Sequence, residues 1–186
     1  MDEMVRQAMA KWPNVPACYG WLGLDGRGNW FLRDAQAQAA GSFAEAVPEA
    51  RGSELRHGKL IEFIGRNYLV EADGCWFFQN GPQRVYVELQ FTPWVWRLRS
   101  DSAGLHIHSH TGMPLARRSG WRTLLDEAGR LYIATDRGLG LVHTQDVLEA
   151  AQALESGLLP EPEEVVAASL PGRFSYVTSP AAVLPR

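Results

Sequence analysis

Three histidines alternate with other residues in the stretch Leu105-His106-Ile107-His108-Ser109-His110. On a β-strand every second side chain points to the same face, and such side chains lie roughly 6.5–7 Å apart along the strand. Two of these imidazoles could therefore bind one zinc ion, while another element supplied its remaining ligands, for which His143, Asp146 and Cys75 are candidates. The pattern predicts a Zn site at His106, His108 and His143, and with it a metal-dependent hydrolase whose metal-bound water is the nucleophile.

The same stretch also has a simpler interpretation. If Leu105 and Ile107 face the core, the histidines only line a solvated face of the strand. We favour this interpretation because neither His-x-Glu nor His-Glu-x-x-His occurs in the sequence. A Gly-x-Ser-x-Gly motif for nucleophilic catalysis is also missing from it. The preferred hypothesis is therefore a binding protein without catalysis and without a cofactor, and the hydrolase is the alternative.

Residues typical of binding surfaces follow the segment around Cys75. Asn80, Gln83 and Arg84 belong to a turn, and Trp94 and Arg97 lie on the next segment of alternating hydrophobicity. Loops often carry binding groups, and Trp and Arg dominate many binding hot spots. We therefore predict that these five residues bind the ligand. The alternative is that Asn-Gly simply forms the turn and that the tryptophans belong to the core.

The distribution of charge indicates what kind of partner would bind. Residues 84–137 carry eight basic and five acidic side chains, whereas the whole chain has a net charge of −3. A modestly positive segment of this kind suits a small anionic molecule or an acidic protein segment. It is too weak for nucleic acid, which usually requires a clearly basic face. A third class, a structural subunit, would be an obligate homo-oligomer that buries exposed tryptophan surface.

Targeting signals are not evident in the sequence. No stretch approaches the 18 apolar residues of a membrane span, and the N-terminus has no signal-peptide pattern. Two widely separated cysteines, Cys18 and Cys75, do not make the disulfide framework of a small secreted protein. These features predict a cytoplasmic protein without membrane contact.

Three glycine-centred turns, at 25–31, 73–78 and 126–132, separate segments of alternating hydrophobicity. Each turn predicts a β-hairpin, because Asp, Asn and Gly tolerate the backbone conformations of tight turns. Further alternation after the second turn predicts a four-strand antiparallel meander from Tyr68 to Leu98. Helices are expected at 53–65 and 145–156, where apolar residues recur at helical spacing.

Together these elements predict the α+β class, with two related β-rich units of antiparallel hairpins or meanders and short helices. The first unit is expected at 1–100, with an N-terminal helix and an exposed insertion at 34–52. The second is expected at 101–157, ending in a helix. Residues 158–186 contain five of the 11 prolines and are expected to form an extended tail.

The segments Leu60–Tyr68, Asp73–Leu89 and Thr92–Leu98 together resemble an uncharacterised proteobacterial family of small cytosolic proteins. The layout also resembles a second bacterial family of unknown function, in which a short hairpin, a helix and a meander recur as repeats. The resemblance covers residues 60–98 well and the remainder in outline. It implies an α+β repeat fold and a binding role, and a signalling or regulatory role has been conjectured for the second family. It implies no catalytic residues.

Overall fold

The structure is a computed structural model that describes residues 1–45, 47–102, 104–115 and 120–183. The chain divides into two compact units. The first contains Met1–Asp25, Asn29–Phe91 and the described residues from Ser175 onward, and the second contains Gly26–Gly28 and Thr92–Phe174. Each unit has a mixed β-sheet, and several short helices accompany the sheets, which confirms the predicted α+β class.

The sheet of the first unit has the strand order β3-β2-β1-β6-β5-β4 among the described residues. Its strands are β1 (Cys18–Leu24), β2 (Trp30–Leu32), β3 (Ser53–Glu54), β4 (Tyr68–Val70), β5 (Trp76–Asn80) and β6 (Gln83–Leu89). Its core includes Leu22, Leu24 and Trp30, each at most 2% exposed.

The sheet of the second unit has the strand order β13-β10-β11-β12-β7-β8-β9 among the described residues. Its strands are β7 (Trp94–Asp101), β8 (Gly104–Ser109), β9 (Pro114–Leu115), β10 (Arg122–Asp126), β11 (Leu131–Thr135), β12 (Gly138–Val142) and β13 (Glu163–Val165). Trp96, Tyr132 and Ile133 are almost completely buried in its core.

Helices in the described residues are short. They are α1 (Glu3–Lys11), α2 (Ala35–Ala39), α3 (Pro48–Arg51), α4 (Gly58–Arg66), α5 (Val147–Glu155), α6 (Leu170–Arg173) and α7 (Pro180–Val183). The helix expected at 53–65 begins only at Gly58, where the His57 imidazole accepts a hydrogen bond from the Leu60 amide, and Ser53 belongs to β3 instead. The helix expected at 145–156 is α5, preceded by a 3-10 turn at Thr144–Asp146.

The two sheets share one connectivity. In the first, β1-β2-β3 and β4-β5-β6 are antiparallel groups that meet through the parallel pair of β1 and β6. In the second, β7-β8-β9 and β10-β11-β12 meet in the same way through the parallel pair of β7 and β12, and β13 adds to β10.

All three hairpins predicted from the glycine-centred turns are present, as β1–β2, β4–β5 and β10–β11. Their turns have one geometry, in which the first amide donates to the fifth carbonyl over about 3 Å. It is found in the three hairpins at Asp25–Asn29, Glu71–Cys75 and Asp126–Arg130. A fourth turn, Ser109–Met113 between β8 and β9, has the same geometry. The fourth residue is always a glycine with φ between 73° and 85°, a conformation that strains other residues.

The predicted four-strand meander from Tyr68 to Leu98 is wrong at its last strand. Strands β4, β5 and β6 are antiparallel neighbours, but β7 belongs to the second sheet, where it pairs with β8 and β12. The Thr92 hydroxyl donates to the Trp94 carbonyl and accepts from the Leu141 amide, which ties the start of β7 to β12. The unit boundary therefore precedes residue 92 rather than following the predicted residue 100.

The segment 34–52, predicted to be an exposed insertion, is exposed at most of its described residues but is held by contacts to Arg33. The guanidinium of Arg33, which is 4% exposed, donates to the carbonyls of Gly20, Ala37, Gly41 and Ala50 at 2.6–3.3 Å. Burial of a guanidinium requires such partners, so the described part of the segment folds around Arg33. Ala46, which belongs to the predicted insertion, lies outside the described residues.

The predicted extended tail at 158–186 is instead divided between the units. Strand β13 pairs with β10 in the second unit. In the first unit the buried Glu88 carboxylate accepts hydrogen bonds from the Ser179 hydroxyl at 2.5 Å and the Ala181 amide at 3.1 Å, which holds the start of α7. Composition alone did not indicate these long-range contacts, and residues 184–186 of the predicted tail lie outside the described range.

A packing contact in the second unit gives a stability test. The Trp96 indole is fully buried, donates to the Ile133 carbonyl at 2.8 Å, and lies directly against Gly140, so that a Cβ there would overlap the ring. We expect Gly140→Ala to lower the free energy of unfolding by about 1–3 kcal/mol, as overpacking usually does. Chemical denaturation measures the change. Gly172→Ala is the control, because nothing lies within 4 Å of its added Cβ. Equal effects of both substitutions would contradict the packing argument.

Candidate functional site

The edge of β7 in the second unit has a gap in its strand pairing. Strand β12 pairs with β7 only as far as Val142 opposite Trp96, and the His143 amide then donates to the Trp96 carbonyl. Farther along β7, the Leu98 amide donates to Asp146 Oδ2 at 3.1 Å and the Ser100 amide donates to Glu149 Oε1 at 2.6 Å. Because a buried amide needs an acceptor, Asp146 replaces the missing strand at Leu98, and Glu149 accepts from the exposed Ser100 amide next to it.

The start of α5 is held in place by His143. This residue is 4% exposed and stands at the N-cap of the 3-10 turn, where its Nδ1 accepts a hydrogen bond from the Gln145 amide at 3.1 Å. Nδ1 is therefore an acceptor, and His143 acts as a helix cap that points Asp146 towards β7.

Arg97 completes this junction between strand and helix. Its Nε and one terminal nitrogen donate to the two Asp146 oxygens at 2.6 and 3.1 Å. Burial alone would raise the pKa of Asp146, but the hydrogen bonds from Arg97 and the Leu98 amide outweigh burial and lower that pKa below its ordinary value. Asp146 is thus ionised at neutral pH, and Arg97 is already neutralised by it.

A cavity of about 560 Å³ lies between the outer faces of β7 and β8 and the start of α5. Arg97, Arg99 and His108 line it from the sheet, and Gln145, Asp146, Leu148 and Glu149 line it from the helix side. The register explains the sheet side, because Arg97 lies directly opposite His108 in the antiparallel pair. Strand alternation then places Arg99 on the same face as Arg97.

Two side chains that line this cavity, Arg99 and His108, can donate hydrogen bonds to a ligand. Asp146 uses both oxygens and Glu149 uses one, whereas no carboxylate among the described residues pairs with Arg99. Burial, followed by the charge of Arg97, lowers the pKa of His108, although Asp146 opposes the shift, so its imidazole is neutral at pH 7. The cavity therefore presents a positive guanidinium and a neutral imidazole to a ligand.

The inward orientation of Leu105 and Ile107 matches the simpler interpretation of the histidine stretch, but the three histidines do not share one solvated face. Leu105 and Ile107 are buried, whereas His106 is exposed and His108 is half-buried on the opposite, outer face of β8. His110 follows the strand and packs against Trp94, with ring centroids 5.8 Å apart, and burial lowers its pKa to about 3. Buried and exposed side chains alternate along β8 as predicted, but His110 lies in the turn after the strand.

The structure gives the three predicted zinc ligands three different surroundings. His106 is hydrogen-bonded to Asp101 at 3.0 Å, His108 lines the cavity, and His143 caps the 3-10 turn. Cys75 belongs to the first unit, where burial and then Asp73 raise its thiol pKa to about 12. Within the described residues no group of three His, Cys, Asp or Glu side chains is arranged to hold a metal ion. The zinc site and the hydrolase stay predictions.

The five predicted ligand-binding residues fall in both units. Asn80, Gln83 and Arg84 lie at the β5–β6 turn of the first unit, and Trp94 and Arg97 lie on β7 of the second. Trp94 is 7% exposed, stacks on Trp96 and donates to the Arg137 carbonyl at 2.8 Å. Trp94 therefore belongs to the packed core rather than to an open platform.

Arg84 in the first unit already has partners. Its guanidinium lies 2.8 Å from Glu71 and over the Phe77 ring, and Glu71 also accepts a hydrogen bond from the Tyr86 hydroxyl at 3.0 Å. Arg84 and Trp12 both line a hollow of about 290 Å³. Glu71 thus neutralises the charge of Arg84 beside this hollow, whereas Arg99 has no such ion pair among the described residues.

Sequence reasoning missed Arg99, Gln145, Leu148 and Glu149 as cavity residues. The signal for Arg99 was present, because the alternation of β7 puts it on the face of Arg97. The helix residues had no comparable signal, since their proximity to β7 depends on a contact almost 50 residues apart in the chain.

The fold defines a small α+β protein of two units. A family model described as "Protein of unknown function (DUF2946)" matches residues 1–181, and the chain belongs to this family. This match confirms the coarser part of the resemblance, that the chain belongs to a family of unknown function. Within the described residues, no helix is both long enough and apolar enough to cross a membrane.

Two solved structures of DUF1285 family proteins are similar to this chain. One, from Silicibacter pomeroyi DSS-3, is 14% identical, covers 82% of this chain and 84% of its own, and has a TM-score of 0.49. The other, from Shewanella baltica OS155, is 12% identical, covers 75% of this chain and 97% of its own, and has a TM-score of 0.47. No curated protein matches the sequence.

The Arg97–Asp146 pair makes stability depend on pH. A carboxyl whose pKa is lower in the folded state stabilises that state above its unfolded pKa of about 3.9, and this contribution is lost as the pH falls through the folded pKa. We expect Asp146→Asn to lower the free energy of unfolding by about 1–3 kcal/mol at pH 7, and by less at pH 3. Denaturant titrations across this pH range measure the difference. Glu155→Gln, at the exposed end of α5, is the control. An equal loss for Asp146→Asn at both pH values would contradict a role for its charge.

Proposed function

We propose that this protein is a non-catalytic binding module whose second unit binds a small anion in the cavity between β7, β8 and the start of α5. The observation that carries this proposal is the Arg99 guanidinium, which lines the cavity without a carboxylate partner among the described residues. An arginine can donate two parallel hydrogen bonds to a carboxylate or a phosphate.

The roles of the cavity residues differ in this proposal. Arg99 makes the charged contact, while the His108 imidazole and the Gln145 side-chain carboxamide add neutral hydrogen-bond donors. Arg97 is a positioning residue, because its hydrogen bonds to Asp146 hold the helix start against the strand. The predicted ligand residue Arg97 therefore acts mainly through Asp146. Asn80, Gln83 and Arg84 stay a second predicted contact surface, on the first unit.

The proposal extends to the biological role and the origin of the fold. The resemblance described above supports a regulatory or signalling role in the cytoplasm. The shared connectivity of the two sheets supports two related units that arose from one. Neither the protein partner nor the homo-oligomer of the sequence analysis has been tested, and both stay predictions.

Removal of the Arg99 charge tests the proposal. We expect wild-type protein to bind acetate or inorganic phosphate at pH 7, with chemical-shift changes at His108. We expect Arg99→Gln to weaken this binding roughly 10- to 100-fold, because one charge-assisted contact contributes about 1.5–3 kcal/mol. NMR titration gives both affinities.

Arg137→Gln removes an equal charge from an exposed arginine of the same unit and should change the affinity less than twofold. The proposal would be overturned if wild-type protein bound neither anion, or if the Arg99→Gln and Arg137→Gln proteins bound equally well.

The titration of His108 provides an independent test. In the free protein its pKa is lowered by burial and by Arg97, with a further contribution from Arg99, while Asp146 acts in the opposite direction and Glu149 faces it across the cavity. A bound anion favours the charged imidazole, so we expect this pKa to rise when anion is added. Anion affinity should therefore increase as the pH falls through the range in which His108 takes up its proton. An unchanged His108 titration in saturating anion would contradict binding beside it.

A further inference from the structure

The anion cavity is larger than an inorganic ion requires. Its volume of about 560 Å³ lies within the roughly 300–1,000 Å³ typical of cavities that hold small organic molecules. A simple ion beside Arg99 and His108 would leave most of this space to water. The volume therefore favours a ligand that has a substantial part beyond its charged group.

The helix side of the cavity carries one exposed apolar side chain among polar ones. Helix α5 buries the small residues Ala150 and Ala153, whereas its larger aliphatic residues Val147 and Leu148 are 53% and 72% exposed. An exposed leucine alone needs no explanation, but Leu148 lines the cavity that also contains Arg99. A ligand that extends from the guanidinium towards the helix would cover this side chain.

The charge of the cavity distinguishes between anions. Arg97 and Arg99 are balanced by Asp146 and Glu149, so the four ionised side chains sum to zero. Asp146 is occupied by Arg97 and the Leu98 amide, but one Glu149 oxygen has no hydrogen bond among the described residues. A second negative charge on the ligand would be repelled by Glu149, so a monoanion fits better than a phosphate dianion.

From these observations we infer that the ligand is a small amphipathic monocarboxylic acid, whose carboxylate pairs with Arg99 and whose apolar part covers Leu148. This inference rests on the proposed anion-binding function and adds the ligand class. The planar carboxylate suits the planar guanidinium, and the aliphatic part removes exposed leucine surface from water.

A chain-length series tests the ligand class. Acetate, butyrate and hexanoate are titrated into the full-length protein at pH 7, with inorganic phosphate and the uncharged hexanamide alongside. A fully buried methylene improves affinity about fourfold, so we expect hexanoate to bind at least tenfold more tightly than acetate. Hexanamide should bind at least tenfold more weakly than hexanoate, because it lacks the charge.

Leu148→Ser is the variant that isolates the apolar contact. Since Leu148 is 72% exposed, its replacement should leave folding unchanged, and it should reduce the ratio of hexanoate to acetate affinity to less than threefold. Val147→Ser is the matched control, because Val147 is 53% exposed on the same helix but does not line the cavity. It should keep the full chain-length dependence.

The outcomes separate the two proposals. Binding of phosphate or acetate without any gain for hexanoate would overturn the amphipathic acid and leave the anion site intact. Binding of none of the anions would overturn the anion site itself. N-acetylleucine and 4-methylpentanoate distinguish a peptide C-terminus from a free acid. A tenfold preference for N-acetylleucine would overturn the free acid, whereas equal or weaker binding supports it.

Discussion

The second unit depends on one constraint, which is that the amides of β7 need acceptors where β12 ends. Beyond Trp96 no strand of the described chain continues along this edge, and the Leu98 amide is buried. A buried amide without an acceptor costs about 1–3 kcal/mol. Asp146 satisfies this requirement from the start of α5, and Glu149 accepts from the exposed Ser100 amide, which brings the helix beside the strand and leaves the cavity between them.

The same constraint decides what each arginine of β7 does. Arg97 lies within reach of the carboxylate that holds the Leu98 amide, so it forms a two-point ion pair and stabilises the junction. Arg99, two residues farther on the same face, has no such carboxylate among the described residues. Two residues of identical chemistry therefore have different surroundings because of their positions relative to one helix.

Sequence-based prediction succeeded where contacts join residues close in the chain and failed where they join distant ones. The three hairpins at Asp25, Asp73 and Asp126 were predictable, because glycine and the flanking alternation act within a few residues. The inward orientation of Leu105 and Ile107 followed from the same period of two. The fourth strand of the meander was wrong, because the parallel pair of β7 and β12 joins residues that are more than 40 positions apart.

The sequence by itself determined the α+β class, the hairpins and the outward face that carries Arg97, Arg99 and His108, since these depend on local conformation and on alternation. Only the tertiary structure decided that Arg33 organises the segment after it, that Arg97 is neutralised and that Leu148 faces a cavity. Each of these contacts joins an element to a partner that no short-range pattern specifies. Burial then sets their energies, because hydrogen bonds and charges must be satisfied wherever the folded chain excludes water.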